Sequence, residues 1–387
     1  MKNKQKKKDT SGKILKIPRR DKTNKGGVPM LYAGIDAHKR TCTIVIIDDQ
    51  GRKIKERRIK TDEAEIKSFF APYKDNVCAV VETCLNWQFI HRILRDYILD
   101  IKVAQSYKLR IIAEANIKTD SIDALALAQL LRVGYIPEIF VPDDKTLKLR
   151  ELIRTRVYLV RLKTRLKNKI HSILDKNGLR PFSGTDLFGK AGRNFLRTLK
   201  IGNPEEGIIK RFLGLIEKLE ENVKDIEIIV GNNVDNTPTI KLLRSIPGIG
   251  KISSHLLLAE IGNIKRFKTK GRLCSFAGIC PRVYCSGETE RRGHISKAGN
   301  SYIRWILTEC AQVASRHSPG LRRIFCKIQR KRGTKVAIIA VARRLLEIVF
   351  NVLTKKEEFS EAKAFPKINK SRYACFLSTS KERSYIV

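Results

Sequence analysis

Lys118-Thr119-Asp120-Ser121-Ile122-Asp123-Ala124 sets two acids three residues apart at the start of an apolar run. At i and i+3 the two carboxylates share one helical face. Like charges so placed cost stability. A divalent cation is the simplest compensation, because hard ions such as Mg²⁺ take carboxylate oxygens. Two more acids extend the pattern: Asp36 ends the apolar run Leu31-Tyr32-Ala33-Gly34-Ile35, and Glu82 ends Val77-Cys78-Ala79-Val80-Val81. Both runs read as short buried strands. The plainer reading makes Asp120 a helix cap and Asp123 a solvated first-turn acid. Two strand-end acids beside them favour a shared metal site of Asp36, Glu82, Asp120 and Asp123.

Two strand-end acids with an acidic helix pair are what an RNase H-like nuclease uses to hold metal against a scissile phosphate. Composition points to the substrate. Among 387 residues, 79 Lys plus Arg face 39 Asp plus Glu, a net charge of +40. Such an excess is the footprint of a polyanion partner, although charge alone does not separate DNA from RNA. A hydrophobic fraction of 42% is ample for packed cores, and the length suits two or three domains. No apolar run reaches the ~18 residues of a membrane span, and no signal peptide is expected. The nine cysteines are scattered without any C-x-x-C, which fits reduced thiols in a cytoplasm. Cys274, Cys280, Cys285 and His294 lie close in sequence, but not at a standard zinc spacing.

The expected fold class is α/β followed by α. Residues 1–30 read as a basic disordered tail, with Met30 placed as a plausible start just before the first strand. Residues 31–142 read as an α/β domain with strands at Leu31–Asp36, Thr41–Ile47, Lys53–Ile59, the Glu82 run and Ile101–Gln105. Helices are expected at Glu63–Phe70, Trp87–Leu99 and from Asp120. Residues 143–236 form a helical linker whose long basic amphipathic helices, 143–178 and 205–232, suit either a plain hairpin or a coiled-coil arm. Pro181 and the stretch to Pro204 separate them. In residues 237–356 the run Ile246-Pro247-Gly248-Ile249-Gly250 between two helices reads as a helix–hairpin–helix. There Gly248, Gly250 and Lys251 would meet a phosphate, although the same turn can serve packing alone. Phe276–Arg304 reads as loop-rich and basic, Lys335–Leu353 as a final helix, and residues 357–387 as a polar extension. Ser286 and Ser296 are rival nucleophiles. Ser286 precedes a glycine near Arg291 and Arg292, whereas Ser296 suits the cap of a helix opening at Lys297.

These residues resemble a family. Gly34-Ile35-Asp36-Ala37-His38-Lys39, Glu82 and the Asp120/Asp123 stretch are similar to the DEDD transposases of the bacterial insertion-sequence family numbered one hundred and ten. Ile246–Gly250, Phe276-Ala277-Gly278, Ser286-Gly287 and Ile295–Asn300 follow in that family's order. The resemblance covers roughly residues 31–355. It implies a RuvC-like domain, a helical coiled-coil linker and a mainly helical transposase domain carrying a nucleophilic serine. That serine is Ser286 of Tyr284-Cys285-Ser286-Gly287. The resemblance also implies donor and target DNA as substrates, an element-encoded guide RNA, a dimer or tetramer, and a composite site. One departure is Leu85, where the family often has glycine three residues after the second acid.

The leading expectation is a site-specific recombinase acting in the bacterial cytoplasm, associated with the nucleoid. Asp36, Glu82, Asp120 and Asp123 would hold Mg²⁺ while Ser286 attacks phosphorus. Lys39, Gly248, Gly250, Lys251, Arg291, Arg292 and Lys297 would contact nucleic acid. The alternatives are a RuvC-like junction resolvase that uses water, and a basic nucleic-acid-binding protein without catalysis. The last gives no reason for four placed acids.

Overall fold

The computed structural model describes residues 29–106, 108–109, 119–179, 184, 186–286 and 289–366. Lys118, Pro181, Gly287, the tail up to residue 28 and the chain from residue 367 lie outside the described residues. The chain divides after Val141 into two compact units.

In the first unit the alternating apolar runs form one five-stranded sheet. Its strands are β1 (Leu31–Ala37), β2 (Thr41–Ile47), β3 (Lys53–Lys60), β4 (Val77–Glu82) and β5 (Asp100–Ala104), in the order β3-β2-β1-β4-β5. β1, β2 and β3 are antiparallel neighbours, whereas β4 runs parallel to β1 and β5 parallel to β4. Helices α1 (Glu63–Phe70) and α2 (Trp87–Leu94) share a core with Ala33, Ile35, Ile44, Ala79 and Val81. Alternate residues face the other side, against α3 (Asp120–Arg132). There Val80 clusters with Leu127 and Leu131, and Val45 and Ile47 with Ala124 and Ala128. Helix α2 ends at Leu94, short of Leu99, and a turn follows in which the Tyr97 N–H makes the tighter i to i−3 bond to the Leu94 carbonyl. The outer strand β3 is protected as an edge by its charges, which leave most of its residues exposed.

Gly34 sets how closely α3 approaches the sheet. A Cβ there would stand 1.9 Å from the Ala124 carbonyl oxygen and 2.7 Å from the Ala128 nitrogen. Any larger residue must push the helix away. Gly34→Val is therefore expected to destabilise the first unit by about 3 kcal/mol, the upper range for overpacking. A thermal melt checks it. An unchanged melting temperature would contradict the close approach.

In the second unit, α4 (Asp144–Lys176) and α6 (Glu205–Val234) lie side by side, with α5 (Lys190–Thr198) between them in sequence. The ion pairs Arg156–Glu227 at 2.7 Å and Lys163–Glu220 at 3.3 Å rise along one helix and fall along the other, so the two are antiparallel. Their far ends close over α5 in a cluster of Ile170, Leu174, Leu196, Ile209 and Leu213. The N-terminal part of α4 instead joins the main helical core. That core takes Ile153 and Val157 together with residues of α7 (Pro238–Arg244), α8 (Lys251–Ile261), α9 (Lys270–Ala277), α10 (Ser301–His317), α11 (Pro319–Arg332) and α12 (Thr334–Lys355).

Three expectations are corrected here. The segment read as loop-rich contains an antiparallel hairpin, β6 (Pro281–Ser286) with β7 (Thr289–Ile295), and then opens α10. Ser296 caps no helix. Lys297 has a left-handed backbone (φ 53°), and Asn300 is the cap of α10, its Oδ1 accepting from the N–H groups of Tyr302 and Ile303 at 2.9 and 3.1 Å. The polar extension begins by returning to the core through α13 (Glu361–Ala364). Glu361 accepts from the Gly320 N–H at 2.7 Å at the start of α11, while Phe359 and Phe365 pack on the core. Among the described residues no helix is long and apolar enough to cross a membrane.

Candidate active site

Asp36 and Glu82 occupy neighbouring positions at the C-terminal ends of parallel strands. Ile35 pairs with Val81, and the next residue on each strand is the acid. Both lie on the α3 side of the sheet, because Gly34, two residues before Asp36, is the point where α3 touches β1. The same contact brings the first turn of α3 beside them. Thr119, not Asp120, caps that helix, its Oγ1 accepting from the Ile122 N–H at 3.2 Å. The reading of Asp120 as a mere cap is thereby excluded.

The carboxylates meet around a histidine. His38 Nε2 lies 3.3 Å from Asp36 Oδ2 and 3.3 Å from Asp120 Oδ1. One ligand atom from each of the three falls within 4.8 Å of the others. Asp36 is the most enclosed, its side chain 16% exposed. Burial pushes its carboxyl above the ordinary range, His38 pulls it back, and the charges of Asp120, Asp123 and Glu82 push it up again. The other three expected acids therefore all act on the Asp36 carboxylate. Negative charge is in excess there, with His38 between Asp36 and Asp120. The carboxylate oxygens are the hard donors that suit Mg²⁺ or Mn²⁺, and His38 sits beside them.

The sequence reading missed His38 as part of this cluster. Its signal was the Asp-x-His spacing, since i and i+2 on an extended chain share a face. The Asn86 side-chain amide holds this turn by donating to the His38 carbonyl at 2.7 Å. Lys39 follows, exposed.

In the second unit Gly248 has φ +82°, and a Cβ there would stand 2.5 Å from the Cys310 carbonyl oxygen. It packs the turn onto α10. Gly250 faces open space at the start of α8, and Lys251 Nζ lies 3.1 Å from Asp235 Oδ2. Ser286 closes β6, its backbone paired with Thr289 near the hairpin tip, while Tyr284 pairs with Arg291 and Val283 with Arg292. The side chains of Ser286, Arg292 and Cys285 lie outside the described residues. Arg291 and Lys297 are exposed.

Beneath the hairpin, two sequence motifs form one joint. The Asn300 N–H donates to the Phe276 carbonyl at 2.7 Å, and the Lys297 N–H to the Gly278 carbonyl at 3.1 Å. Asn300 Nδ2 also donates to Glu260 at 2.7 Å. Glu260 is 1% exposed and takes both prongs of Arg154, at 2.7 and 2.9 Å. A buried carboxylate so paired ties the base of the hairpin to α4.

Residues 33–177, which include all four acids, match a family model of the DEDD transposases of the IS110 group, described as "Transposase". Residues 240–326, which include the α7–α8 turn and the hairpin, match the "Transposase IS116/IS110/IS902 family". The chain belongs to this family. As an IS110-family transposase it acts in DNA recombination, with DNA as substrate. Among its relatives is the transposase for insertion sequence element IS1111A of Coxiella burnetii, 25% identical over 84% of this chain and 90% of that one. The transposase for insertion sequence element IS1328 of Yersinia enterocolitica is 25% identical over 85% of this chain and 98% of its own. A pilin gene-inverting protein of Moraxella bovis is 28% identical over 38% of this chain and 48% of its own.

Proposed function

We propose that this transposase cuts and rejoins DNA through a metal-dependent step at the acid cluster and a covalent bond from Ser286 to DNA. Its sites are chosen by an RNA that the element encodes. The observation that carries this reading is the convergence of Asp36, His38 and Asp120 within 4.8 Å, with Glu82 and Asp123 acting on the same carboxylate. Asp36, Glu82, Asp120 and Asp123 would hold Mg²⁺, which when bound would polarise the scissile phosphate and ease loss of the attacking proton. Gly34 and Thr119 position the acids, one by admitting α3 and the other by capping it. His38 bridges Asp36 and Asp120, relieving part of their repulsion.

Ser286 Oγ forms the bond to phosphorus as the bond from phosphorus to the leaving sugar oxygen breaks. The serine proton is released and the leaving oxygen gains one. The ester conserves the bond energy, so a later strand can be joined without ATP. Arg291, Arg292 and Lys297 supply positive charge at the phosphorus under attack. Lys39, Gly250 and Lys251 contact backbone phosphates, which position the duplex without reading its sequence. The net charge of +40 suits simultaneous DNA and RNA binding. The paired helices α4 and α6 serve as the arm of a homodimer or tetramer.

Titration calorimetry with Mn²⁺ tests the metal site directly. Saturable binding is expected for the wild type, weakened by about tenfold or more in Asp120→Asn, because affinity follows the number of ligand charges. Equal binding by both proteins would refute the assignment. RNA guidance makes a separate demand: recombination should stop when co-purified RNA is digested, and activity that survives digestion would remove guidance.

A second reading, a nuclease that uses water at the same acids, is favoured by one observation. The whole carboxylate cluster lies within the first unit. Cleaved DNA without any protein adduct would select it.

A further inference from the structure

The strand registers place the acids in a longer row than the metal site needs. Ile35 pairs with Val81, so Asp36 and Glu82 are neighbours; Asp36 pairs with Thr43, and Thr43 pairs with Arg58. Glu82, Asp36, Thr43 and Arg58 thus form one transverse row across β4, β1, β2 and β3. The next row repeats the trend, since the His38 N–H bonds the Thr41 carbonyl at 2.8 Å and Thr41 pairs with Lys60. Charge runs from carboxylates at the centre of the sheet to cations on its edge strand.

Arg58 reaches inward along this face. Its Nε and Nη2 donate to Thr41 Oγ1 at 3.4 and 3.3 Å, and Nη2 lies 4.0 Å from Asp120 Oδ2. The side chain is still 65% exposed, so the remaining donors of the fork point to solvent or to a ligand. An exposed pair at that distance is a weak reason for an arginine. Once Asp120 is committed to a cation, a guanidinium at its side is placed to take a phosphate oxygen.

We propose that Arg58 binds a non-bridging oxygen of the DNA phosphate held at the acid cluster, and so orients that phosphate for cleavage. This rests on the reading of the acids as the cleavage site. Thr41 is the positioning residue that aims the fork.

The test is a thermodynamic cycle on the full-length protein with its RNA. DNA carrying a neutral methylphosphonate at the cut position is compared with ordinary DNA in equilibrium binding with Ca²⁺ present, for wild type, Arg58→Ala and Arg58→Lys. Removing Arg58 or neutralising the phosphate should each weaken binding by about tenfold, and the two together by no more than either alone. Arg58→Lys, a point charge without the planar fork, should keep only part of the coupling. Losses that simply add, no loss on either change, or coupling at a phosphate away from the cut would overturn the proposal. A melting temperature lowered in Arg58→Ala without any coupling would likewise assign Arg58 to structure. An Asp36→Asn control separates the two readings: if it cuts at the wild-type rate, the acid cluster falls as the cleavage site, while the cycle still reports on Arg58.

Discussion

Asp36→Asn is expected to abolish strand cleavage and, in the same protein, to raise the melting temperature measured in EDTA. The two effects have one cause. Burial and three neighbouring carboxylates hold the Asp36 carboxyl above its ordinary value of 3.8, despite His38. A carboxyl raised in the folded state contributes stability that is fully present below 3.8 and is lost as pH rises through the raised value. Once pH has risen through that raised value, the charge on Asp36 opposes folding, and an uncharged isostere removes that opposition. The same charge is what a cation would satisfy. Its loss should cost several kcal/mol of transition-state stabilisation, or on the order of 10³-fold in rate. Cleavage assays and melts on one preparation check both signs. Near-normal cleavage would refute the metal site, and a lower melting temperature would make Asp36 structural.

Ser286→Ala is expected to eliminate recombination while leaving metal binding, nucleic-acid binding and the melting temperature close to wild type. An isolated serine hydroxyl is a poor nucleophile at neutral pH, so its contribution depends on activation and is lost completely with the oxygen. Position matters as well. Ser286 ends β6 at a hairpin whose base is locked by Asn300 and the buried Glu260–Arg154 pair. Gel-based recombination assays would show no product. Recombination at more than about one-tenth of the wild-type rate would mean that another group attacks, a loss of only 1.4 kcal/mol being too small for a nucleophile.

The acid cluster was legible because its determinants are local. Asp36 and Glu82 close apolar alternations, and Asp120 and Asp123 open an amphipathic helix, so each could be placed on an element before any pairing was known. His38 and Arg58 were not placed in this way. Their relation to the acids depends on strand register: Arg58 joins the row only because Asp36, Thr43 and Arg58 are aligned across β1, β2 and β3. The hairpin β6–β7 escaped notice for a different reason. Its strands are rich in arginine and polar residues, and Val283 and Tyr284 are exposed, so no buried alternation marks them. The return of Glu361 and Phe365 to the core was hidden by a polar sequence in which two aromatics carry the packing.

Protein–DNA adduct mapping by mass spectrometry tests the central claim most directly. Reactions of full-length protein with RNA and target DNA would be stopped by denaturation, once in Mg²⁺ and once in EDTA, and the DNA-linked peptide sequenced. The expected result is a single adduct on Ser286 that forms in Mg²⁺, disappears in EDTA and is missing from Asp36→Asn. Cleaved DNA with no adduct, an adduct on Ser296 or a tyrosine, or one that persists in EDTA would contradict it.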